Sequence, residues 1–240
     1  MILLKIYKQP LLSIDCEYKK IIESFARRDG ILAICLYIAI VVIIYFGIRF
    51  LHLAPLARGI ADIAISAMMI IVTFILLYMQ KQKLHTLGIA KRNCLKSSVV
   101  GLVIGTSLFL FVRIVSPGAL FPSEILSLSF VYFALYHFIL IGFTEELIFR
   151  GFIQTRLYGI IKSDNWAIFI TGFLFVALHV IADRFFIAFV PGFEMARYSV
   201  FNIVLTFIAH IGLNALYRKY NSLLGPVILH GLANISSMQF

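Results

Sequence analysis

The sequence predicts an all-α, polytopic transmembrane helical bundle of about seven to eight spans. Of its 240 residues, 62% are hydrophobic and only 13% are charged, whereas soluble domains carry roughly 25% charged residues. The mean hydropathy is +1.00, and the hydrophobic segments are separated by connectors that hold most of the Lys and Arg residues. These segments are close to the length of about 20 apolar residues that a helix needs to cross a bilayer.

Seven segments meet or approach the hydropathy and length of a transmembrane helix. They are residues 31–51, 60–79, 97–115, 126–161, 165–182, 199–217 and 222–238. The fourth is too long for one straight crossing, so it must tilt, bend or protrude, and dividing it would give an eighth span. The seventh is short and contains Gly225 and Pro226 as well as two polar residues, so its hydropathy signal is weak.

The distribution of positive charge predicts the orientation. If the N-terminus is inside, fifteen Lys and Arg residues lie on the cytoplasmic side and five on the opposite side. Positive charge accumulates in the cytoplasmic loops of membrane proteins. We therefore expect a cytoplasmic N-terminal arm at 1–30, a first group of transmembrane helices at 31–115, and a C-terminal transmembrane core at 120–238.

Charge and cysteine content exclude several function classes. The net charge of +10 is spread between hydrophobic segments and forms no basic patch interleaved with aromatic residues, so we expect membrane lipids and no nucleic acid as partners. The three cysteines are an odd number without a CxxC pair. They predict neither a disulfide framework nor a thiolate metal site.

The stretch GFTEELIFRGF at 142–152 places three ionisable groups inside a hydrophobic run. A charge at mid-membrane costs at least a few kcal/mol, so such residues tend to face the protein interior and to have a function. Glu146 and Arg150 are four residues apart on one helical face, which predicts a buried ion pair that clamps the packing. Glu145 points about 100° away from Glu146, so it must neutralise, find a partner elsewhere or take part in chemistry.

His179 lies in a second apolar stretch, FLFVALHVIAD, where a lone histidine is usually a satisfied core residue. Its distance in residues from the predicted turn favours another interpretation. If the fourth and fifth spans form an antiparallel hairpin with a turn near Lys162, Glu145 and His179 are each 17 residues from that turn. At a rise of 1.5 Å per residue they lie at the same depth, roughly 25 Å from the turn, and are therefore candidates for one site.

His230 and Asn234 lie four residues apart in LHGLANI and share one helical face. They either hydrogen-bond to neighbouring helix backbones, as polar residues in membranes commonly do, or contribute to the same site as Glu145.

Two further histidines carry a weaker signal. His210 matches His230 in depth about a turn near Tyr220, so it either lines the same cavity or hydrogen-bonds Asn214 one turn on. His137 lies two turns from the glutamates and is rotated by some 80° from Glu145. We expect His137 to be structural.

Three motifs in this order, EELIFR, FVALH and HGLAN, resemble the CPBP family, which contains the type II CAAX prenyl endopeptidases and their Abi or bacteriocin-processing relatives. The family pattern is EExxxR, FxxxH and HxxxN/D on separate transmembrane helices. The matching residues are Glu145, Glu146 and Arg150, then Phe175 and His179, then His230 and Asn234. The resemblance covers roughly residues 120–238.

The resemblance implies an intramembrane endopeptidase of the bacterial cytoplasmic membrane that cuts a membrane-associated peptide or protein, in bacteriocin maturation or self-immunity. It makes Glu145 the general base, with His179 helping to hold the water. His230 and Asn234 would polarise the scissile carbonyl and stabilise the oxyanion, and Glu146, Arg150 and Phe175 would support the site.

The resemblance leaves the role of a metal open. Members of the family are often described as metalloproteases, and a zinc or other divalent ion bound by His179, His230 and a carboxylate is chemically possible. The sequence contains neither HExxH nor a cysteine ligand at these motifs, so metal-free catalysis by glutamate is the alternative.

Two other functions remain as alternatives. A proton-coupled transporter also places Glu and His inside the membrane, although the chain shows no internal repeat of the kind that many secondary transporters have. A non-catalytic bacteriocin-immunity or scaffold protein would keep the motifs only for packing.

Overall fold

The architecture is all-helical throughout the part of the chain that the computed structural model describes, residues 13–48, 55–115, 128–189 and 200–236. The helices are α1 (Cys16–Glu23), α2 (Arg27–Ile48), α3 (Pro55–Met79), α4 (Cys94–Val115), α5 (residues 128–161), α6 (Asp164–Phe189), α7 (Val200–Tyr220) and α8 (Leu224–Ser236). A 3-10 helix, Leu84–Leu87, lies between α3 and α4. The predicted all-α class is confirmed.

Six of these helices are long and apolar enough to cross a membrane, namely Arg27–Gly47, Ile60–Met79, Cys94–Val115, Phe130–Ile161, Asp164–Ala182 and Val200–Tyr220. The shorter apolar helix α8 accounts for the seventh predicted segment. The long fourth segment is one unbroken run of helical turns within the described residues, so the division that would have given an eighth span does not occur there.

Helix α5 contains two wide, π-helical stretches, Tyr136–Phe143 and Leu147–Gln154, on either side of the short α-helical segment Thr144–Glu146. Stretches of π-helix are rare and often occur at functional sites. Every residue of Leu147–Gln154 is buried. The two glutamates therefore lie at the junction between the π-helical stretches, next to the most deeply buried part of the helix.

Two sharp turns set the depth of the polar residues. Helix α5 is capped at its C-terminal end by Lys162, which has a left-handed backbone with φ of 54°, and α6 begins two residues later. Helix α7 ends at Tyr220 and is followed by Asn221, with φ of 46°, before α8 begins. Both predicted turns are therefore present, and each connects two antiparallel helices that carry polar motifs.

Small residues hold α8 against α4. Gly101 in α4 approaches Gly225 in α8 so closely that a side chain at either position would collide with the backbone of the other helix. Ser97 Oγ accepts a hydrogen bond of 3.1 Å from the Gly225 amide. Such close helix contacts at small residues are typical of membrane proteins, and here they fix the helix that carries His230.

The N-terminal arm is fastened to the turn between α5 and α6. Tyr18 is fully buried, donates a hydrogen bond of 2.9 Å to Asp164 and accepts one of 3.2 Å from Gln154. Burial, together with the nearby Asp164, raises the pKa of Tyr18 well above its usual value, so the phenol keeps the proton that it donates. Arg218 forms an ion pair of 2.7 Å with the same aspartate. The described part of the arm, residues 13–30, is thus part of the packed structure.

Arg156, one of the fifteen basic residues that the orientation count places on the cytoplasmic side, is buried in the bundle. Its side chain is fully buried and donates hydrogen bonds of 2.6 Å to Gln82, 2.9 Å to the Thr86 hydroxyl and 2.8 Å to the Gly151 carbonyl. It holds the connector after α3 against α5, a role that sequence position alone did not indicate.

The orientation remains a prediction that labelling can test. Lys91 is an exposed residue of the connector before α4. In a variant whose three native cysteines are replaced, Lys91→Cys is expected to react with a membrane-impermeant thiol reagent only after the cells are opened. Ser116→Cys, which the sequence places in an opposite loop, should react in intact cells. Labelling of Lys91→Cys in intact cells would contradict the cytoplasmic N-terminus.

Candidate active site

Glu145 and His179 face each other across the α5–α6 hairpin. The Glu145 Oε2 atom lies 3.9 Å from His179 Nε2, and the two side chains are 24% and 37% exposed. The equal distance of both residues from the turn predicted this proximity. Each side chain is partly exposed at the surface of the helical bundle, but the Glu145 Oε2 atom that faces His179 is buried and has no hydrogen-bond partner among the described residues.

His230 approaches the same carboxylate from α8. Its Nε2 atom lies 3.7 Å from Glu145 Oε2, and its side chain is only 10% exposed. Both distances to Glu145 are longer than the 2.7–3.2 Å of a direct hydrogen bond to nitrogen. The three groups therefore converge without a direct hydrogen bond, and a water molecule lying beside them could hydrogen-bond to the carboxylate and to a ring nitrogen.

The Nδ1 atoms of both histidines have partners that orient the rings. His179 Nδ1 lies 2.9 Å from the Phe175 carbonyl one turn earlier, and His230 Nδ1 lies 2.8 Å from Glu146 Oε1. A carbonyl or carboxylate at Nδ1 accepts a hydrogen bond from the N–H of that nitrogen, so the other nitrogen of each ring is left to act. In both rings that nitrogen is Nε2, which faces Glu145.

The predicted ion pair between Glu146 and Arg150 is present. Arg150 Nη1 lies 2.9 Å from Glu146 Oε1, and both side chains are completely buried. The same oxygen also accepts the bond from His230. Sequence reasoning missed the contact between His230 and Glu146. Through this contact Glu146 links the EELIFR motif to the HGLAN motif.

Phe175 lies at the centre of the aromatic packing around the site. The guanidinium of Arg150 sits 4.6 Å from the centroid of its ring, a favourable cation–π distance. The ring of His179 is 4.5 Å away and that of Phe149 is 4.9 Å away. Phe175 therefore contacts both the ion pair and the histidine of its own motif.

Asn234 lies one helical turn after His230 on α8 and is half-buried. Its position on the same helix agrees with the predicted shared face. Its role toward a substrate remains a prediction.

His210 and His137 are both buried, and neither contacts Glu145 in the described residues. His210 Nε2 lies 2.8 Å from Asn214 Nδ2 and 3.1 Å from the Ile168 carbonyl, so the predicted alternative of a contact one turn on is confirmed. His137 packs at 4.5 Å from the ring of Phe133. The sequence feature that indicated the contact of His210 was its four-residue spacing from Asn214.

The described side chains do not form a ready metal site. No group of three or more His, Cys, Asp or Glu residues within the described ranges is arranged to hold a metal ion. The expected candidates His179 and His230, with Glu145 near both of their Nε2 atoms, would supply the three protein ligands that a catalytic zinc ion takes, so a role for a metal stays an open alternative.

Comparison with known proteins supports the resemblance carried by the three motifs. Residues 127–236, which comprise α5 to α8, match the family model described as Type II CAAX prenyl endopeptidase Rce1-like. No curated protein and no solved structure matches the chain.

Proposed function

Starting from residues 127–236 as an Rce1-like domain of the CPBP family, we propose that the protein is an intramembrane endopeptidase with Glu145 as its general base. The observation that carries the proposal is the convergence of the Glu145 carboxylate with the Nε2 atoms of His179 and His230, at 3.9 and 3.7 Å. A carboxylate in a membrane-spanning helix without a directly bonded cation is costly unless it has a use.

The first step is the activation of water. Glu145 accepts a proton from a water molecule that His179 Nε2 helps to hold, and the resulting hydroxide oxygen attacks the carbonyl carbon of the scissile peptide bond. The carbon–nitrogen bond of the tetrahedral intermediate then breaks, and Glu145 returns the proton to the leaving amine. The products are one new carboxyl group and one new amino group, and Glu145 ends the cycle in its original state.

The second requirement is stabilisation of the oxyanion that forms during the attack. We assign this role to His230 and Asn234, which share one face of α8. When His230 carries protons on both ring nitrogens, its Nε2–H can donate to the oxyanion while Nδ1–H stays bonded to Glu146. Donors that are already in place where charge develops supply a large part of catalysis.

Glu146 and Arg150 act on this site through position. Glu146 holds the His230 ring by Nδ1 and is itself held by Arg150. Because both contacts are buried, the ring has little freedom to rotate away from Glu145. Phe175 adds a packing surface for both Arg150 and His179.

We propose metal-free catalysis as the first alternative to test, because no group of three or more His, Cys, Asp or Glu residues within the described ranges is arranged to hold a metal ion. Purified protein treated with a strong chelator and dialysed should retain its cleavage rate, and metal analysis of the folded protein should find less than one equivalent of zinc per chain. Loss of activity on chelation with recovery on adding zinc would contradict this expectation and favour the metal alternative.

The substrate class follows from the location of the site within membrane-spanning helices. We propose a membrane-associated peptide or protein, and bacteriocin maturation or self-immunity in the bacterial cytoplasmic membrane as its setting. The test is a cleavage screen of the purified protein in detergent against membrane-anchored peptides, with and without a lipid modification.

The screen, a test of Glu145→Gln in cells and a flux measurement together separate the competing functions. A protease should cut at least one anchored peptide at a defined bond. A scaffold or immunity protein should cut none and should tolerate Glu145→Gln in cells. A proton-coupled transporter should instead show a pH-driven flux in vesicles that Glu145→Gln removes.

A further inference from the structure

A second set of polar residues runs along α7, apart from the side chains that surround Glu145. His210, Asn214 and Arg218 follow one another at intervals of four residues, so they lie along one face of the helix. His210 and Asn214 are buried, and Arg218 near the end of the helix has an 18% exposed side chain. The row therefore leads from the membrane surface into the protein.

Each member of this row has a buried polar atom that lacks a hydrogen-bond partner among the described residues. The atoms are His210 Nδ1, Asn214 Oδ1 and Arg218 Nε. Exchanging the oxygen and nitrogen of the Asn214 amide would only transfer the deficit to the nitrogen. Because buried polar groups in native proteins are nearly always hydrogen-bonded, three such atoms in a row indicate bound water.

A cavity of about 80 Å³ lies beside the outer part of this row. It is lined by Ser13, Ile168, Ile211, Asn214, Ala215 and Arg218. A cavity of this kind needs roughly 10–15 Å³ to hold one water molecule, which takes two to four polar partners when buried. The space beside the polar atoms of Asn214 and Arg218 is therefore large enough for a few water molecules.

The inner end of the row reaches the buried ion pair. The ring centroid of His210 lies 5.7 Å from that of Phe175. The Arg150 guanidinium lies 4.6 Å from the same Phe175 centroid, and His210 interacts electrostatically with Arg150. Arg150 Nε also lacks a hydrogen-bond partner among the described residues. Unsatisfied polar atoms are thus present on the row in α7 and on the guanidinium that pairs with Glu146, with the Phe175 ring in contact with His210 and Arg150.

We propose that His210, Asn214 and Arg218 form a hydrated path that connects the aqueous surface with the Glu146–Arg150 pair behind Phe175. The path carries water and exchangeable protons, and it is separate from the opening beside Glu145 and His179. Its existence does not depend on the proposed protease activity. In a protease it would keep the buried pair in contact with water while a substrate covers Glu145.

Cysteine labelling at two adjacent residues of α7 tests the path. Ile211 is 41% exposed and lines the cavity, whereas Gly212 does not line it and has nothing within 4 Å of an added Cβ. Ile211→Cys and Gly212→Cys would be made in a full-length chain whose three native cysteines are replaced by serine. Both would be reconstituted into lipid vesicles and treated with a charged, water-soluble methanethiosulfonate reagent.

Ile211→Cys is expected to react at least about ten-fold faster than Gly212→Cys, because thiols react as thiolates, which need an aqueous environment. Depth alone predicts the reverse order, since Gly212 is one residue closer to the surface end of α7. Equal rates, or faster labelling of Gly212→Cys, would overturn the proposal.

A second variant tests the polar lining. Asn214→Leu in the Ile211→Cys background should slow the labelling several-fold, because it removes a polar partner of the bound water. An unchanged rate would contradict the role of Asn214. If Asn214→Leu fails to fold, the comparison of the two cysteine positions still decides. Neither result depends on cleavage, so a failed path leaves the test of Glu145 unaffected.

Discussion

Glu145→Gln is expected to lower the cleavage rate by a factor of roughly 10²–10⁴, the usual contribution of a positioned general base. The amide has nearly the size and shape of the carboxyl group, but it cannot take a proton from water at neutral pH. Because Glu145 forms no direct hydrogen bond to His179 or His230, the substitution should leave the fold intact. Initial rates of purified variants and their thermal unfolding curves measure both effects.

Glu23→Gln is the matched control for this substitution. Glu23 is also a helical glutamate, but its side chain is 49% exposed and lies 3.9 Å from Lys19 at the surface. The control should cut at the parental rate. If Glu145→Gln also retained the parental rate, Glu145 would not be the base, whatever the family resemblance.

Arg150→Ala is expected to reduce the free energy of unfolding by about 3–5 kcal/mol, the typical cost of removing one partner of a buried ion pair. The change leaves the Glu146 carboxylate buried without its cation and removes the guanidinium from the face of Phe175. Activity should fall as well, because Glu146 holds the ring of His230. Thermal and denaturant unfolding in detergent would measure the loss of stability.

Two comparisons isolate the ion pair. Arg92→Ala removes a surface arginine that is 56% exposed and pairs with Asp15 at 3.1 Å, and surface pairs contribute only about 0–1 kcal/mol. The double variant Glu146→Gln with Arg150→Met removes both charges and should be more stable than Arg150→Ala alone. An Arg150→Ala protein as stable as the parent would show that the pair is not a clamp.

Local patterns were sufficient to predict the fold class and part of the site. Long apolar runs predict transmembrane helices because a bilayer leaves few other structures for them. The four-residue spacing predicts the contact between Glu146 and Arg150, since a helix brings such residues together. The equal distances from the turn near Lys162 predict the proximity of Glu145 and His179, because two helices in a hairpin rise by the same step.

Contacts between distant parts of the chain could not be predicted in this way. The bond from His230 to Glu146 depends on how α8 rotates against α5, and spacing along either helix does not determine that rotation. The burial of Arg156 depends on the connector that carries Gln82 and Thr86. The π-helical stretches on either side of the glutamates have no simple sequence signature, because helix propensity does not distinguish them from ordinary helix.

The two adjacent glutamates contained a signal that the sequence interpretation did not use. Side chains about 100° apart on one helix can approach two different atoms of a single imidazole. In the structure, Glu146 bonds to Nδ1 of His230 while Glu145 faces Nε2 of the same ring. A paired carboxylate of this kind therefore predicts a histidine on a neighbouring helix as well as an ion pair within its own helix.

The central claim is that this protein hydrolyses a peptide bond with water activated by Glu145. Its most direct test is mass spectrometry of the products formed from a membrane-anchored peptide in water enriched in oxygen-18, with the parent and with Glu145→Gln. We expect the parent to produce two fragments, with the heavy oxygen in the new carboxyl terminus, and Glu145→Gln to produce neither. Intact peptide after incubation with the folded parent across the whole screen, or equal cleavage by both proteins, would contradict the claim.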